Sequence, residues 1–440
     1  MTLSMLGLVG GLLLLIYFTL RGMNILIAAP LCALLVALFS GIPLMPPLAE
    51  GRESFTVSYM TGFAAFLKDW FIVFLLGAMF GKVMEDSGAA DSVAHWVVRK
   101  LGMRHAALAV ILACAVLTYG GVSVFVVAFS VFPMALSLFK EANLPRRFIP
   151  AALAFGSVTF TMTSAGSVEI QNFLPMEYLG TTQFAGWRVS IFVALFMALS
   201  GIWWFERMMK RAVANGESFD ARADDPEQKS YDNLPNPFLG LIPLAIVLGT
   251  SFYFSVILGF GKSSLIVALL AGLLSAILLY RKEFSNLGVA LSTATFGALI
   301  AISNTCAVVG FGSIAKLTPA FHDALAFMTE IPGNGLIGAA VAISVIVALT
   351  GSASGGQAIA LPLIAPHYTE AGVDPDALHR VIAITSGGLD SLPHNGYVVT
   401  TIRAICGETH RTAYLPVAAL TVVIPFVGAV LAIGLFALGL

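Results

Sequence analysis

The chain has 440 residues, of which 58% are hydrophobic and only 11% are charged, and its formal net charge at pH 7 is −1. Soluble domains carry about 25% charged residues, and a water-soluble chain cannot bury this much apolar surface. The composition therefore excludes an ordinary soluble protein, and the near-zero net charge indicates no nucleic-acid partner.

Apolar blocks follow one another along the chain, each close to the roughly 20 residues that cross a hydrocarbon core. We therefore predict an all-α polytopic membrane protein that lies in a lipid bilayer. We expect the first block to be a retained helix and not a signal peptide, because no basic segment precedes it and no small-residue cleavage site follows it. The clearest blocks are Leu3–Leu20, Asn24–Phe39, Ile191–Phe205, Phe238–Leu258 and Ala413–Leu440.

Lysine and arginine positions indicate how the chain threads, because cytoplasmic loops carry an excess of both. One threading places 17 of the 23 basic residues in the cytoplasm and both termini in the periplasm. Its cytoplasmic set is Arg21, Lys82, Arg99, Lys100, Arg104, Lys140, Arg146, Arg147, Arg207, Lys210, Arg211, Arg222, Lys229, Arg281, Lys282, Arg403 and Arg411. The other six are Arg52, Lys68, Arg188, Lys262, Lys316 and Arg380.

This threading requires a chain reversal inside the membrane. Arg104 and Lys140 must lie on the same side, although about 35 mostly apolar residues separate them. A single helix of that length would be about 50 Å long. The turn Thr118-Tyr119-Gly120-Gly121 interrupts the stretch, so we expect a re-entrant hairpin over 104–138 and a second one, from the other face, over 333–366.

Several features recur in both halves at an offset of about 230 residues. Leu117-Thr118 and Leu349-Thr350 precede the two glycine-rich turns, and each half then has a helix broken by small polar residues, at Thr161–Ser167 and Thr385–Ser391. An odd number of crossings in each half would insert the second half upside down.

We therefore predict an inverted repeat of two halves, each with about five transmembrane crossings, one of them broken, plus one re-entrant hairpin. The segments are a first repeat 1–209 (hairpin 104–138, broken helix 147–175), a cytoplasmic linker 210–236 and a second repeat 237–440 (hairpin 333–366, broken helix 378–405). The first two helices of each half lack polar interruptions, so we expect a scaffold near Leu3–Phe39 and Phe238–Tyr280 beside a mobile transport unit.

The four interruptions predict the binding site. Non-helical backbone is costly in lipid, so four such segments imply a polar cavity whose half-helix N-termini and hydroxyls bind a carboxylate. The alternative for these small residues is close helix packing. The candidate substrate-binding residues are Thr118, Gly120, Gly121, Ser123, Thr161, Thr163, Ser164, Ser352, Ser354, Gly355, Gly356, Gln357, Ser386, Gly387, Gly388 and Asn395.

Acidic residues inside a membrane are functional candidates. Asp390 lies in the second break, with His394 close behind it, and Glu169 follows the first break. A carboxylate repels an anionic substrate and protonation removes the repulsion, so proton and substrate binding would be coupled. We favour Asp390 over Glu169 as the proton site, with His394 as a further titratable candidate; the alternative for Asp390 is a cap on the broken helix.

No catalytic group, cofactor or metal site is expected. The HExxH, GxSxG and P-loop patterns are missing, so the chain is not predicted to be an enzyme. The four cysteines form no CxxC pair and are expected to be small buried residues. We place the histidines outside the second break in loops or surface helices, without a metal-binding pattern, at positions 95, 105, 322, 367, 379 and 410.

Longer motifs carry a family resemblance. Phe74–Ala94 reads FLLGAMFGKVMEDSGAADSVA, and Leu117–Asn172 contains LTYGGVSVFVVAFSVFPMALSLF, LPRRFIPAALAFGSVTFTMT and IQN. The second half adds SASGGQAIALPLIAP and HRVIAITSGGLDSLPHNGYV. These motifs resemble the gluconate:proton symporter (GntP-type permease) family, and in particular its hydroxybutyrate or short hydroxy-acid permease branch.

The resemblance implies a multi-pass protein of the bacterial inner membrane that takes up sugar acids or small hydroxy-monocarboxylates with protons. It also implies a homodimer with an elevator-like mechanism. Gluconate members carry a His-Pro-Gly-Pro-Thr motif near the first break, where this chain has Ser164-Ala165-Gly166-Ser167. A smaller acid such as 3-hydroxybutyrate therefore fits better than gluconate.

We thus predict a secondary active transporter that carries a small organic anion with a proton. Sodium coupling stays open, because hydroxyls and backbone carbonyls at the hairpin tips could bind that ion. A passive anion channel is the other alternative, although a channel would favour a continuous polar path and would need no inverted repeat.

Overall fold

The computed structural model describes residues 3–45, 53–101, 105–222, 225, 234–284, 286–329, 331 and 334–440. Within these ranges every regular element is a helix, which confirms the all-α prediction. Arg52, Arg104, Lys229, Gly333 and part of the expected linker lie outside the described residues. Of the described helices, seven are long and apolar enough to cross a membrane, namely Phe55–Asp86, Val124–Glu141, Trp187–Ala214, Pro237–Ile257, Ser263–Tyr280, Leu287–Ala315 and His410–Ala437.

The described helices are divided between the two halves of the chain. The first half contains α1 (Leu3–Leu20), α2 (Ile25–Phe39), α3 (Phe55–Asp86), α4 (Ala89–Leu101), α5 (Ala106–Tyr119), α6 (Val124–Glu141), α7 (Ile149–Ala154), α8 (Leu174–Leu179) and α9 (Trp187–Ala214). The second contains α10 (Pro237–Phe252), α11 (Ser263–Tyr280), α12 (Leu287–Ala315), α13 (Pro319–Thr329), α14 (Gly335–Thr350), α15 (Ala353–Glu370), α16 (Pro375–Leu389), α17 (Gly396–Val399), α18 (His410–Ala418) and α19 (Ile424–Ala437).

Helices α3 and α12 form the largest helix–helix contact of the protein. The Tyr59 hydroxyl of α3 donates to the Ala307 carbonyl of α12 at 3.1 Å. A β-carbon at Gly62 would come within 3.1 Å of the Val309 carbonyl, so the glycine lets the two backbones approach closely. Helix α2 packs on α12, and α11 packs on α3. In the same way, α13 packs on α1 and α4 packs on α10. We call helices α1–α3 and α10–α12 the first group.

Helices α5–α9 and α14–α19 form a second group around two helix pairs. Helix α5 packs along α6 and α14 along α15, each pair joined by a short glycine turn. At the second turn, Gly351 ends α14 with φ +61°, a backbone conformation that favours glycine. Ser352 then caps α15 by accepting from the Gly355 N–H at 3.1 Å, which satisfies one of the free donors at the helix start.

Both broken helices lie in the second group. After α7 the chain makes a π-helical turn at Phe155–Thr159, and non-helical backbone follows up to the short turn Ile170–Asn172. The second break begins later than the small polar residues suggest, because α16 continues through Leu389. Its non-helical segment runs from Asp390 to Asn395, where Asn395 caps α17 through the Val398 N–H at 2.8 Å.

Candidate functional site

The two broken helices cross at Thr163 and Gly387. A β-carbon at position 387 would lie 2.7 Å from the Thr163 γ-methyl, so only glycine permits this approach. The Thr163 hydroxyl donates to the Thr159 carbonyl at 3.0 Å, and the Ser164 hydroxyl donates to the Phe160 carbonyl. Thr161 bonds back to the π-helical turn in the same way, donating to the Ser157 carbonyl at 2.6 Å. These hydroxyls keep their lone pairs, so a ligand that donates hydrogen bonds could still reach them.

The second hairpin lies against the second broken helix. Gln357 donates to the Ser386 hydroxyl at 2.6 Å, and both side chains are fully buried. Asn395 donates to the Gly351 carbonyl at the hairpin tip at 3.0 Å. His394 lies on the same glycine, 2.5 Å from the place where a β-carbon would be. The structure thus brings together four of the residues that the sequence singled out.

The remaining candidates of this hairpin and break differ in role. Ser352 is half-buried, and its hydroxyl lies 3.5 Å from that of Ser354, which is buried. Gly356 permits close packing of the two hairpin arms, since a β-carbon there would be 2.8 Å from the Val347 Cα. Gly388 has more room, because its nearest neighbour would be the Pro425 Cβ at 3.6 Å.

The turn of the first hairpin contacts a backbone carbonyl on one side and apolar side chains on the other. The Tyr119 hydroxyl donates to the Ala165 carbonyl of the first break at 2.8 Å. Gly120 and Gly121 instead lie against apolar side chains: their β-carbons would be 2.8 Å from Leu244 of α10 and 2.9 Å from Val168 of the first break. Ser123 precedes α6 without capping it, and the Thr118 hydroxyl is buried and has no hydrogen-bond partner in the part of the chain that the structure describes. Substrate contact by this turn stays a prediction.

Buried polar atoms without a partner concentrate in the second group. Unpaired buried polar groups cost free energy, so such atoms in a native fold call for a ligand or water. The turn Ile170–Asn172 packs on α15 and α16, which brings atoms from different segments toward one region. The atoms without a hydrogen-bond partner among the described residues include Gln171 Oε1, Gln357 Oε1, Thr385 Oγ1 and His394 Nε2.

The two candidate acids lie in the two breaks. Asp390 directly follows α16 and is buried, and its carboxylate accepts from the Ser391 hydroxyl at 3.0 Å. Tyr414 of α18 donates to the Ser391 carbonyl at 3.2 Å, which fixes the segment. Glu169 is half-buried, and the Ser167 hydroxyl accepts a hydrogen bond from its backbone N–H at 3.4 Å. Which acid carries a proton stays a prediction.

Sequence analysis missed a buried arginine. Arg380 of α16 is 0% exposed and donates four hydrogen bonds to the first broken helix and the loop that follows it. The signal was present in the sequence: a cation one turn inside the predicted broken helix 378–405. The expectation that His379 lies in a loop or surface helix is wrong, because this residue is fully buried and its Nδ1 lies 2.6 Å from the Thr181 hydroxyl.

A cluster of charges joins three segments expected in the cytoplasm. Arg146 pairs with Asp225 at 2.7 Å and with Glu408 at 3.2 Å, and Arg222 pairs with Glu408 at 2.6 Å. Arg146 and Glu408 are both buried. The chain after α6, the stretch after α9 and the loop before α18 are thereby held at one face.

A more exposed ion pair lies beside this cluster. Arg147 holds Glu217 through two hydrogen bonds, of 2.6 Å and 2.8 Å. These hydrogen bonds and the positive charge lower the pKa of Glu217 from its ordinary value.

A cavity of about 650 Å³ opens among the first turns of α9, α14 and α16 and the end of α19. Arg188 and Asp376 are among its charged lining residues. Gly186 also lines it, and a β-carbon there would be 3.2 Å from the Arg380 Cβ. The cavity therefore comes close to the buried arginine.

Comparison with known proteins defines the class. The profile of the GntP family permease matches residues 1–435, so the chain belongs to the GntP permease family. The uncharacterized transporter YxjC of Bacillus subtilis (strain 168) is 36% identical over a 451-residue alignment that covers 93% of this chain and 94% of that protein. A high-affinity gluconate transporter of Escherichia coli (strain K12) is 33% identical over 134 residues, 30% of this chain and 28% of that protein.

Two solved structures share the fold. The crystal structure of the Alcanivorax borkumensis YdaH transporter has a TM-score of 0.56 and 16% identity, and the match covers 99% of both chains. Neisseria gonorrhoeae MtrF, from a class of antimetabolite efflux pumps, has a TM-score of 0.53 and 14% identity over 92% of this chain and 93% of that one. At these identities the likeness concerns the fold alone. The family resemblance read from the sequence motifs is confirmed.

Proposed function

We propose that this chain is a secondary active symporter that carries a small hydroxy-monocarboxylate, such as 3-hydroxybutyrate, together with a proton across a bacterial inner membrane. A sugar acid such as gluconate is the second substrate class, because the family includes gluconate transporters. The sequence at Ser164–Ser167 favours the smaller acid.

One observation carries this proposal. In a chain that belongs to a permease family, the two broken helices meet at Thr163 and Gly387, and buried polar atoms of both breaks and the second hairpin lack partners nearby. An anion with a hydroxyl group offers both acceptors and a donor, which such a mixed set of hydroxyls, amides and imidazole nitrogen can satisfy. We assign the carboxylate to hydroxyl and backbone N–H donors near Ser354, and the ligand's hydroxyl group to the acceptor lone pairs of Thr163.

We further propose that the two halves form an inverted repeat with the boundaries expected from the sequence, and that the first group is a scaffold on which the second moves. The symmetric contacts of α2 with α12 and of α11 with α3 support this division. Basic residues expected in the cytoplasm, such as Arg146 and Arg222, lie close together, which supports the threading. A homodimer formed through the scaffold is part of the same proposal.

A cross-link between hairpin and scaffold tests the moving parts. We choose Gly120→Cys with Leu244→Cys, because the two β-carbons would be 2.8 Å apart and a shift of about 1 Å brings them to the roughly 3.8 Å that a disulfide needs. The four native cysteines are buried and would be replaced first. Oxidation should abolish uptake, reduction should restore it, and each single cysteine variant should be insensitive. Full activity of the oxidised double variant would indicate a static pore.

A binding experiment tests the substrate. A bound ligand stabilises the native state by mass action, so purified protein should melt at higher temperature with its substrate present. We expect 3-hydroxybutyrate to raise the melting temperature more than gluconate does, and its neutral amide to have little effect. Equal stabilisation by acid and amide would contradict an anion site.

A further inference from the structure

Arg380 is bound by the opposite half of the protein. Its Nε donates to the Ala185 carbonyl at 3.0 Å, and its Nη2 donates to the Gln183 carbonyl at 3.1 Å. Its Nη1 donates both to the Thr163 carbonyl at 2.6 Å and to Asn172 Oδ1 at 2.8 Å. One side chain of α16 therefore holds two separate segments of the first repeat.

Asn172 extends this arrangement. Its side-chain N–H groups donate to the carbonyls of Ser164 and Ser167, at 2.6 Å and 3.2 Å, while its oxygen receives Arg380. The first break is thus supported from inside by an amide that a guanidinium orients. A planar guanidinium presents five donors in a fixed fork, which a lysine cannot reproduce.

Within the described residues, no carboxylate touches the Arg380 guanidinium, although Asp376, one turn earlier on α16, attracts its charge from a greater distance. Among the described residues, every hydrogen bond of its guanidinium goes to a neutral oxygen, and no aspartate or glutamate forms a salt bridge with it. Burying a charge is costly unless it is well paired, and charges inside membranes mark functional sites. An anion bound near Thr163 would lie several ångströms from this cation and would gain from its field.

We infer that Arg380 is a positioning residue for the proposed transport reaction, which holds the first break in its binding shape and supplies the fixed positive charge that makes the site prefer anions. The role of the charge rests on the proposed function, whereas the role in holding the first break does not. Arg380 also lies close to the 650 Å³ cavity, since a β-carbon at its lining residue Gly186 would be 3.2 Å from the Arg380 Cβ.

The role of the Arg380 charge is tested by measuring how strongly the site prefers an acid to its neutral amide. We compare the affinities of 3-hydroxybutyrate and its neutral amide in wild type, Arg380→Lys and Arg380→Gln. Arg380→Gln should lose about a hundredfold of the preference for the acid, the size expected from a unit charge about 6 Å away at an effective dielectric constant of about 20. Arg380→Lys should retain the preference while binding both ligands more weakly. A folded Arg380→Gln variant with the wild-type preference would overturn the inference.

The role of Arg380 in holding the first break is tested by hydrogen exchange, which needs no ligand. The Gly166 N–H donates to the Gln183 carbonyl at 3.0 Å, and the Ala165 N–H donates to the Ser190 hydroxyl at 2.8 Å, so both amides report on the break. Exchange over 161–186 should be faster in Arg380→Lys, because an ammonium cannot serve four acceptors on two segments. Wild-type exchange there would overturn the inference even if Arg380→Gln fails to fold.

A matched control separates this effect from the loss of any cation. Arg188→Gln removes an exposed arginine of α9 that lines the same cavity, and it should change neither the ligand preference nor the exchange. An equal loss of preference in Arg188→Gln would contradict a specific role of Arg380. If wild type binds neither ligand, the proposed substrate class fails, while the exchange result still decides the positioning role.

Discussion

Gly387 lies so close to Thr163 that a β-carbon at position 387 would be 2.7 Å from the Thr163 γ-methyl. Threonine is stiff at χ1, so its methyl cannot move away cheaply. The contact joins the two broken helices where the proposed site lies, and it makes the geometry of that crossing testable.

The first prediction concerns this contact. Gly387→Ala should destabilise the protein by about 1–3 kcal/mol, the usual cost of overpacking, and should weaken substrate binding. Adding Thr163→Ser removes the methyl while keeping a hydroxyl, and should restore most of both losses. Gly388→Ala is the control, since its β-carbon would meet its nearest neighbour at 3.6 Å. Thermal unfolding of wild type and these three variants would measure this, and a double variant no better than Gly387→Ala would refute the contact.

The second prediction concerns the second hairpin tip. Ser354→Ala should weaken binding of the substrate carboxylate by about 0.5–1.5 kcal/mol for a neutral hydrogen bond, or roughly twice that for a charged one. Folding should stay intact, because the Ser354 hydroxyl makes only a long contact, of 3.5 Å, with the Ser352 hydroxyl. Ser275→Ala in α11, whose hydroxyl donates to the Gly272 carbonyl, is the matched control. Unchanged affinity in Ser354→Ala, measured by isothermal titration, would count against this part of the site.

Sequence patterns located the glycine turns and both breaks, because each is encoded by local residues. Gly351 ends α14 and Ser352 caps α15, as the cluster at the second turn suggests. The exact start of the second break depends on tertiary contact instead. Ser386, Gly387 and Gly388 remain helical because Gln357 and Thr163 pack on that face of α16.

The sequence marks Arg380 as a cation inside a predicted broken helix, but the groups that it binds could not be predicted. Its acceptors, at Thr163, Asn172, Gln183 and Ala185, lie about 200 residues earlier and are mostly backbone carbonyls, which leave no mark on residue types. A count of basic residues could show only that Arg380 does not belong to the cytoplasmic set. His379 was misplaced for the same reason, since its partner Thr181 belongs to the other half.

The third prediction concerns coupling. Asp390→Asn mimics the protonated acid, so it should bind substrate without the pH dependence of wild type, in which affinity should rise as pH falls. It should also fail to concentrate substrate against a gradient, while exchange of substrate across the membrane persists. Glu169→Gln is the comparison variant and should keep both properties. If Asp390→Asn accumulates substrate as well as wild type, Asp390 is not the coupling residue and the assignment passes to Glu169.

The fourth prediction concerns the charge cluster at the expected cytoplasmic face. Glu408→Gln removes one of the two carboxylates of the buried Arg146, which keeps Asp225, and should cost about 1.5–3 kcal/mol, the worth of hydrogen bonds to charged groups. Glu217→Gln breaks a pair whose side chains are 31% and 37% exposed, and should cost about 0–1 kcal/mol. Thermal unfolding in detergent measures both, and equal effects would contradict a special role for the buried pair.

The exposed Arg147–Glu217 pair should also make the stability of the folded protein depend slightly on pH. Arg147 lowers the pKa of Glu217, so the pair stabilises the folded protein above pH 4.5, the ordinary pKa of this glutamate. That stabilisation is lost as the pH falls through the lowered pKa. Wild type should therefore lose slightly more stability than Glu217→Gln over that acid range. Parallel pH profiles would show that the pair contributes nothing.

The central claim, proton-coupled transport of a small hydroxy acid, is tested most directly by uptake of labelled 3-hydroxybutyrate into proteoliposomes. Four conditions are needed: a pH gradient with acid outside, an inward sodium gradient at equal pH, both gradients, and neither. We expect accumulation above equilibrium only where the pH gradient is present, with no further gain from sodium. Accumulation driven by sodium alone, or mere equilibration under every condition, would contradict the account.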